Sequence, residues 1–163
     1  MLQILDVDKN NGDHLACFGN VNPAQYWQFM PVDPKNPARY AVRSSVRGVF
    51  KQLGTCYNAQ DIDEQHTQPC LLRSDGSDTQ KWDITLWPGN NGTFYRFQNV
   101  QNGTKYNMDV HPGSNPFMSN DVDGKNFQKA QHWLMTSASS IDDGAYSTTF
   151  TDVSVVISLN TTS

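Results

Sequence analysis

Residues able to do chemistry are plentiful in this chain, but they are not grouped for catalysis. Carboxylates cluster at Asp61, Asp63 and Glu64 and again at Asp142 and Asp143. Two carboxylates held across a cleft could hydrolyse a glycoside. Nothing in this spacing fixes such a pair, and they read as solvated loop charges. Asn120, Asp121 and Asp123 resemble part of a calcium loop but lack its bidentate Glu, and read as a turn. His14, His66, His111 and His132 are scattered and read as ordinary surface or loop histidines. Cys17, Cys56 and Cys70 form no CxxC pair and no Cys/His cluster with metal spacing. No Ser/His/Asp arrangement and no phosphate-binding glycine loop is visible. The sequence therefore predicts a protein that is not an enzyme and calls for no metal or cofactor. What remains is hydrogen-bonding chemistry. Only 17% of residues are charged, against about a quarter in typical domains, and amides and hydroxyls fill the gap. Two aspartates, Asp6 and Asp109, stand in similar apolar triplets.

Those triplets belong to an internal repeat. Gln25-Tyr-Trp27, Gln80-Lys-Trp82 and Gln131-His-Trp133 place tryptophans 55 and 51 residues apart (82 − 27 and 133 − 82). Leu5-Asp6-Val7, Tyr57-Asn58-Ala59 and Met108-Asp109-Val110 recur at 52 and 51 (58 − 6 and 109 − 58). Arg39-Tyr-Ala-Val42 and Phe94-Tyr-Arg-Phe97 form a third landmark seen twice, 55 apart at Tyr40 and Tyr95. Within each unit, short apolar runs divided by Asn/Gly/Asp/Pro turns read as strands. These are 3–7, 14–18 and 26–32; 39–44, 55–58, 68–72 and 81–86; 93–98, 105–110, 117–119 and 132–136. Helix is confined to short turns at 23–25 and 127–130. A repeat this short buries little alone, so the three must close on one another. The tryptophan of each triplet is the natural core element, its indole needing one polar partner, with the Gln bonding the local loop.

Bulk properties narrow the function classes. The 163 residues suit one domain with a real core. Net charge is −4 with no basic run, which sets nucleic acid aside. No apolar stretch approaches the roughly 20 residues of a membrane span, and the opening MLQILDVDKNN does not read as a signal peptide. Three Asn-x-Thr sequons, at Asn91, Asn102 and Asn160, permit a glycosylated, secreted protein.

Three Gln-x-Trp units, each preceded by a Leu-Asp-Val-like strand, resemble the ricin-B (R-type) lectins. The closest look is to secreted fungal members, through Ala24-Gln-Tyr-Trp-Gln-Phe29 and Asn115-Pro-Phe-Met118. The resemblance spans about residues 2–136. It implies an all-β β-trefoil of pseudo-threefold symmetry, over 1–140, with repeats of about 1–37, 38–91 and 92–137. It also implies up to one sugar site per repeat, on galactose-type glycans or glycoproteins. In such a site the aspartate of the Leu-Asp-Val strand accepts from sugar hydroxyls, a ring from the next strand stacks on the sugar, and the Gln-x-Trp glutamine completes the set. Carried over, repeat three offers Asp109, Phe117, Asn120 and Gln131, with His111 as a further polar group. Repeat one offers Asp6, His14, Asn20 and Gln25. Repeat two has Asn58 where an aspartate is expected, a weaker acceptor than a carboxylate, and is expected to be inactive. Ala24, Thr79 and Ala130 stand where the family has Asn, so no repeat is complete. The alternative for Asp6 and Asp109 is a turn-capping aspartate that orders the following loop. At the level of function, the alternative to a lectin or carbohydrate-binding module is a trefoil protein-interaction or protease-inhibitor-like protein with degenerate sugar sites. The resemblance further implies a within-repeat disulfide between Cys56 and Cys70, leaving Cys17 free.

One departure concerns the first repeat, which has no Tyr-x-Val-like first strand. The tail at 141–163 contains TDVSVVISL at 151–159, with good β-propensity. It reads either as a strand pairing near the vacant first-strand position or as a Ser/Thr-rich stalk.

Overall fold

The computed structural model describes residues 2–7, 15–18, 26–44, 51–57, 67–88, 92, 94–110, 115–120, 131–137 and 154–160, with only the backbone path described at 2–7, 15–18, 26, 136–137 and 154–160. The described elements are twelve strands: β1 (Leu2–Val7), β2 (Leu15–Phe18), β3 (Tyr26–Pro31), β4 (Arg39–Ser44), β5 (Lys51–Tyr57), β6 (Thr67–Arg73), β7 (Trp82–Leu86), β8 (Phe94–Asn99), β9 (Asn107–Asp109), β10 (Phe117–Ser119), β11 (Trp133–Ser137) and β12 (Ser154–Asn160). One 3-10 turn, Asp78–Gln80, precedes β7. The helical turns expected at 23–25 and 127–130 lie outside the described residues.

Six strands close a barrel in which every neighbouring pair is antiparallel: β12 with β3, β3 with β4, β4 with β7, β7 with β8, β8 with β11, and β11 with β12. Closure removes the exposed edges that an open sheet would carry. Three hairpins, β1–β2, β5–β6 and β9–β10, complete the fold. β1 pairs antiparallel with β12, and β5 with β4.

The register is threefold. Trp27, Trp82 and Trp133 face Ser44, Asn99 and Leu159 across one junction. Across the other junction, Tyr40 faces Trp82, Tyr95 faces Trp133 and Val155 faces Trp27. β12 thus stands in repeat one where β4 and β8 stand in repeats two and three. This architecture is a β-trefoil.

The three tryptophans are fully buried and anchor the core. Phe97, also fully buried, meets Phe29, Trp82 and Trp133 edge-on, with centroids 6.0–6.5 Å apart, a favoured aromatic geometry. For two of the indoles the polar partner comes from the hairpin of the same repeat: Trp82 Nε1 donates to the Leu53 carbonyl at 2.9 Å and Trp133 Nε1 to the Met108 carbonyl at 3.0 Å.

Those two bonds correct the alignment of repeat two. If Leu53 matches Met108, then Leu53-Gly54-Thr55, not Tyr57-Asn58-Ala59, is the counterpart of Met108-Asp109-Val110. Pairing from the preceding strand agrees: Arg43 faces Gln52 in repeat two, and Ser158 faces Ile4 in repeat one, so Gly54 matches Asp6. The expected strand at 55–58 is accordingly replaced by β5, which starts at Lys51.

Outside the barrel, Arg39 ties the β3–β4 turn to β7. Its guanidinium forks onto Asp83 at 2.8 and 2.9 Å, and Asn36 Nδ2 donates to the same carboxylate. The hydrogen bond to Asp83 raises the Arg39 pKa above its ordinary value, as a charge-assisted bidentate contact should.

Candidate functional site

In repeat three, β9 and β10 set Asp109 directly opposite Phe117. Opposed residues of an antiparallel pair share a face, so the carboxylate and the half-buried ring lie side by side. Gln131 arrives from the segment that enters β11 and is fully buried. Its Nε2 donates to Asp109 Oδ2 at 2.9 Å, and its Oε1 accepts from Asn107 Nδ2 at 3.2 Å. The backbone N–H of Val110 donates to Asp109 Oδ1 at 2.6 Å. Asn107, Gln131 and Asp109 therefore form a buried relay that ends on the oriented carboxylate of Asp109, a residue 5% exposed. A carboxylate offers about four acceptor positions. The two donors among the described residues take one on each oxygen. Asn120 is exposed just beyond β10.

The corresponding positions differ in the other repeats. In repeat two, Gly54 faces Cys70, so neither carboxylate nor ring is present. A Cβ at Gly54 would stand 2.8 Å from Leu72 Cδ1, 3.0 Å from the Thr79 carbonyl and 3.3 Å from Gln80 Cγ. Freed of an aspartate, Gln80 turns to the loop, donating to the Arg73 carbonyl and accepting from the Asp75 N–H. In that loop the backbone N–H of Ser77 holds the Asp75 carboxyl below its ordinary value, and the Lys81 ammonium does the same for Asp78. Repeat one pairs Asp6 with Ala16, placing no ring at the Phe117 position. Asp6 is placed by its backbone alone, and His14, Asn20 and Gln25 lie outside the described residues, as do Asn58 and His111.

Other expectations resolve individually. Cys56 and Cys70 are bridged across the β5–β6 hairpin, with Cα atoms 5.9 Å apart. Asn102 does not suit glycosylation in the folded chain: it is 5% exposed, and its Nδ2, the atom a glycan would take, donates to Thr67 Oγ1 at 2.6 Å. Asn91 lies outside the described residues, and Asn160 is placed by its backbone as the last residue of β12. His132 is not a surface histidine but is 1% exposed and stacked on Trp87, with centroids 4.6 Å apart and planes at 20°. Among the described residues no group of His, Cys, Asp and Glu could hold a metal, and no helix is long and apolar enough to cross a membrane.

Two residues at the site were missed in the sequence. Asn107 precedes the Met-Asp-Val triplet, but its counterparts Gln52 and Ile4 share no type with it. Trp87 was visible as the one tryptophan outside a Gln-x-Trp triplet, and its Nε1 donates to the Gln131 carbonyl at 3.0 Å.

No protein-family model matches the sequence. No curated protein matches it either. Solved structures do match. The designed threefold-symmetric protein ThreeFoil superposes with a TM-score of 0.60 at 19% identity, covering 81% of this chain and 89% of that one. A mosquitocidal holotoxin gives 0.60 at 19% identity, over 81% of this chain and 15% of the toxin. The Polyporus squamosus lectin, bound to the epitope Neu5Aca2-6Galb1-4GlcNAc, gives 0.55 at 16% identity, over 83% of this chain and 50% of the lectin. The chain thus spans a small part of the toxin and half of the lectin, and what it shares with all three at these identities is the fold.

Proposed function

We propose that this chain is a carbohydrate-binding lectin or module, non-enzymatic and free of cofactors, whose working site is in repeat three. The observation that carries the reading is the buried relay from Asn107 through Gln131 to Asp109, ending on a carboxylate with Phe117 beside it. A carboxylate with acceptor positions to spare and a neighbouring ring is what adjacent sugar hydroxyls and a sugar C–H face require. Leaving one such buried partner unpaired costs roughly 1–3 kcal/mol, which is the source of specificity. Galactose-type glycans are the favoured class, from the ricin-B resemblance and from the galactose-containing epitope on the compared lectin. The Cys56–Cys70 bridge supports an oxidising, extracellular setting.

A second reading, a trefoil that binds protein through its loops, draws on Gly54 and on the 5% exposure of Asp109. It would leave one sugar site without its carboxylate and another deeply set. A glycan array with terminal galactose, sialylated galactose and glucose panels separates the two. Binding to galactose-terminated glycans that is lost in Asp109→Ala supports the lectin. A blank array with folded protein favours the protein-binding trefoil.

A further inference from the structure

The Gln-x-Trp triplet of repeat three is held from two sides. On one side the Trp133 indole reaches its own hairpin at Met108. On the other side stands Trp87, which belongs to repeat two. Its Nε1 donates to the Gln131 carbonyl, and its ring stacks on His132, the middle residue of the triplet. Phe94 packs edge-on against the same histidine with centroids 5.9 Å apart. The Arg96 guanidinium lies over the Trp87 ring, 5.5 Å from its centroid, and Arg96 Nε is itself tied to Thr85 Oγ1 at 2.8 Å.

The sequence places no indole at the equivalent positions of the other repeats. The Trp87 backbone N–H donates to the Phe94 carbonyl just as the Val32 N–H donates to the Arg39 carbonyl, so Val32 is the equivalent residue of repeat one. Val32 has no side-chain donor and is 40% exposed, where Trp87 is 6% exposed. Five residues past Trp133 the sequence has Ala138. Only the glutamine that meets a carboxylate within the described residues is therefore seated by an indole from the preceding repeat.

Resting on the reading of repeat three as a sugar site, we propose that Trp87 is a positioning residue of that site. It fixes the Gln131 backbone, so that the side-chain amide reaches Asp109 while still accepting from Asn107. Binding in repeat three then depends on a residue that repeat two contributes and that is itself buried.

The test titrates N-acetyllactosamine into the full chain by calorimetry, for the wild type, Asp109→Asn and Trp87→Phe. Phenylalanine keeps a ring for His132 and Arg96 but removes the N–H donor together with the second ring of the buried indole, a volume that benzothienylalanine at position 87 retains. The expected result is loss of measurable binding in Asp109→Asn, and a dissociation constant weakened roughly fivefold to tenfold in Trp87→Phe, with unchanged stoichiometry. A merely structural role would lower the stoichiometry and leave the dissociation constant alone. That outcome, or a constant within twofold of wild type while Asp109→Asn fails to bind, overturns the role of Trp87. Wild type that does not bind, or Asp109→Asn that binds like wild type, overturns the sugar-site reading itself. Should Trp87→Phe not fold, benzothienylalanine at position 87 replaces the N–H by sulfur in an isosteric ring and is read by the same criteria.

Discussion

Asp109 should be as important to stability as to binding, and two substitutions separate the reasons. In Asp109→Ala, Gln131 Nε2 and the Val110 N–H both lose their acceptor in a buried setting. Each stranded donor costs roughly 1–3 kcal/mol, so the variant should lose about 2–6 kcal/mol. Asp109→Asn has a way out. Its oxygen must stay on Val110, whose backbone N–H cannot turn, so its NH₂ faces Gln131. Gln131 can then flip to accept from it, which sends Nε2 towards Asn107. The Oδ1 of Asn107 is buried with no hydrogen-bond partner, and a matching flip of Asn107 lets it accept. Gln131 and Asn107 turn over together, and the net loss is the difference between charge-assisted and neutral bonding at position 109, about 1 kcal/mol. Urea unfolding at neutral pH, with an unchanged slope, should therefore rank wild type above Asp109→Asn and both above Asp109→Ala. An Asp109→Ala midpoint equal to or above that of wild type would refute the relay as a stabilising network. Asp109→Asn falling below Asp109→Ala would refute the concerted flip.

Three further outcomes are expected. Gly54→Ala should destabilise by about 1–2 kcal/mol, because the Thr79 carbonyl 3.0 Å from the new Cβ is backbone and yields little; a higher melting point would show that the hairpin can shift. Replacing Cys56 and Cys70 by serine should remove about 3 kcal/mol on the loop-entropy account of a 14-residue separation, read as a lower urea midpoint. Deleting 141–163 removes β12 and its pairings with β1, β3 and β11, so the melting point should fall by many degrees; an unchanged one would mean that the barrel closes without that strand.

Much of this arrangement was legible beforehand where chemistry is local. The Cys56–Cys70 bridge was implied by the ricin-B resemblance, and one hairpin is enough to join cysteines 14 residues apart. Asp109, Phe117 and Gln131 fall within one repeat, and the order of strands brings them together. The second repeat was misread for an equally physical reason. Tyr57-Asn58-Ala59 looks like its neighbours, but an indole finds its acceptor through the barrel, not along the chain. The separation from tryptophan to accepting carbonyl is 29 residues in repeat two and 25 in repeat three. Loop length absorbs the four-residue difference (29 − 25), so equal spacing in sequence misplaces the equivalent residue.

Three tryptophans at a near-constant period determined by themselves that the chain would fold as three like units around a shared core, because a unit that buries one large indole needs the other two to cover it. The ricin-B resemblance built on that pattern grouped Asp109 with Gln131, and the structure shows the hydrogen bond between them. What only the tertiary structure decided were the relations between units. Gly54 rather than Asn58 stands in the aspartate position, because strand register follows from pairing across the barrel. β12 lies beside β1, β3 and β11, because hydrogen bonding there is indifferent to chain order. Trp87 reaches Gln131 from 44 residues away, because a contact between repeats leaves no trace in the periodicity of either one.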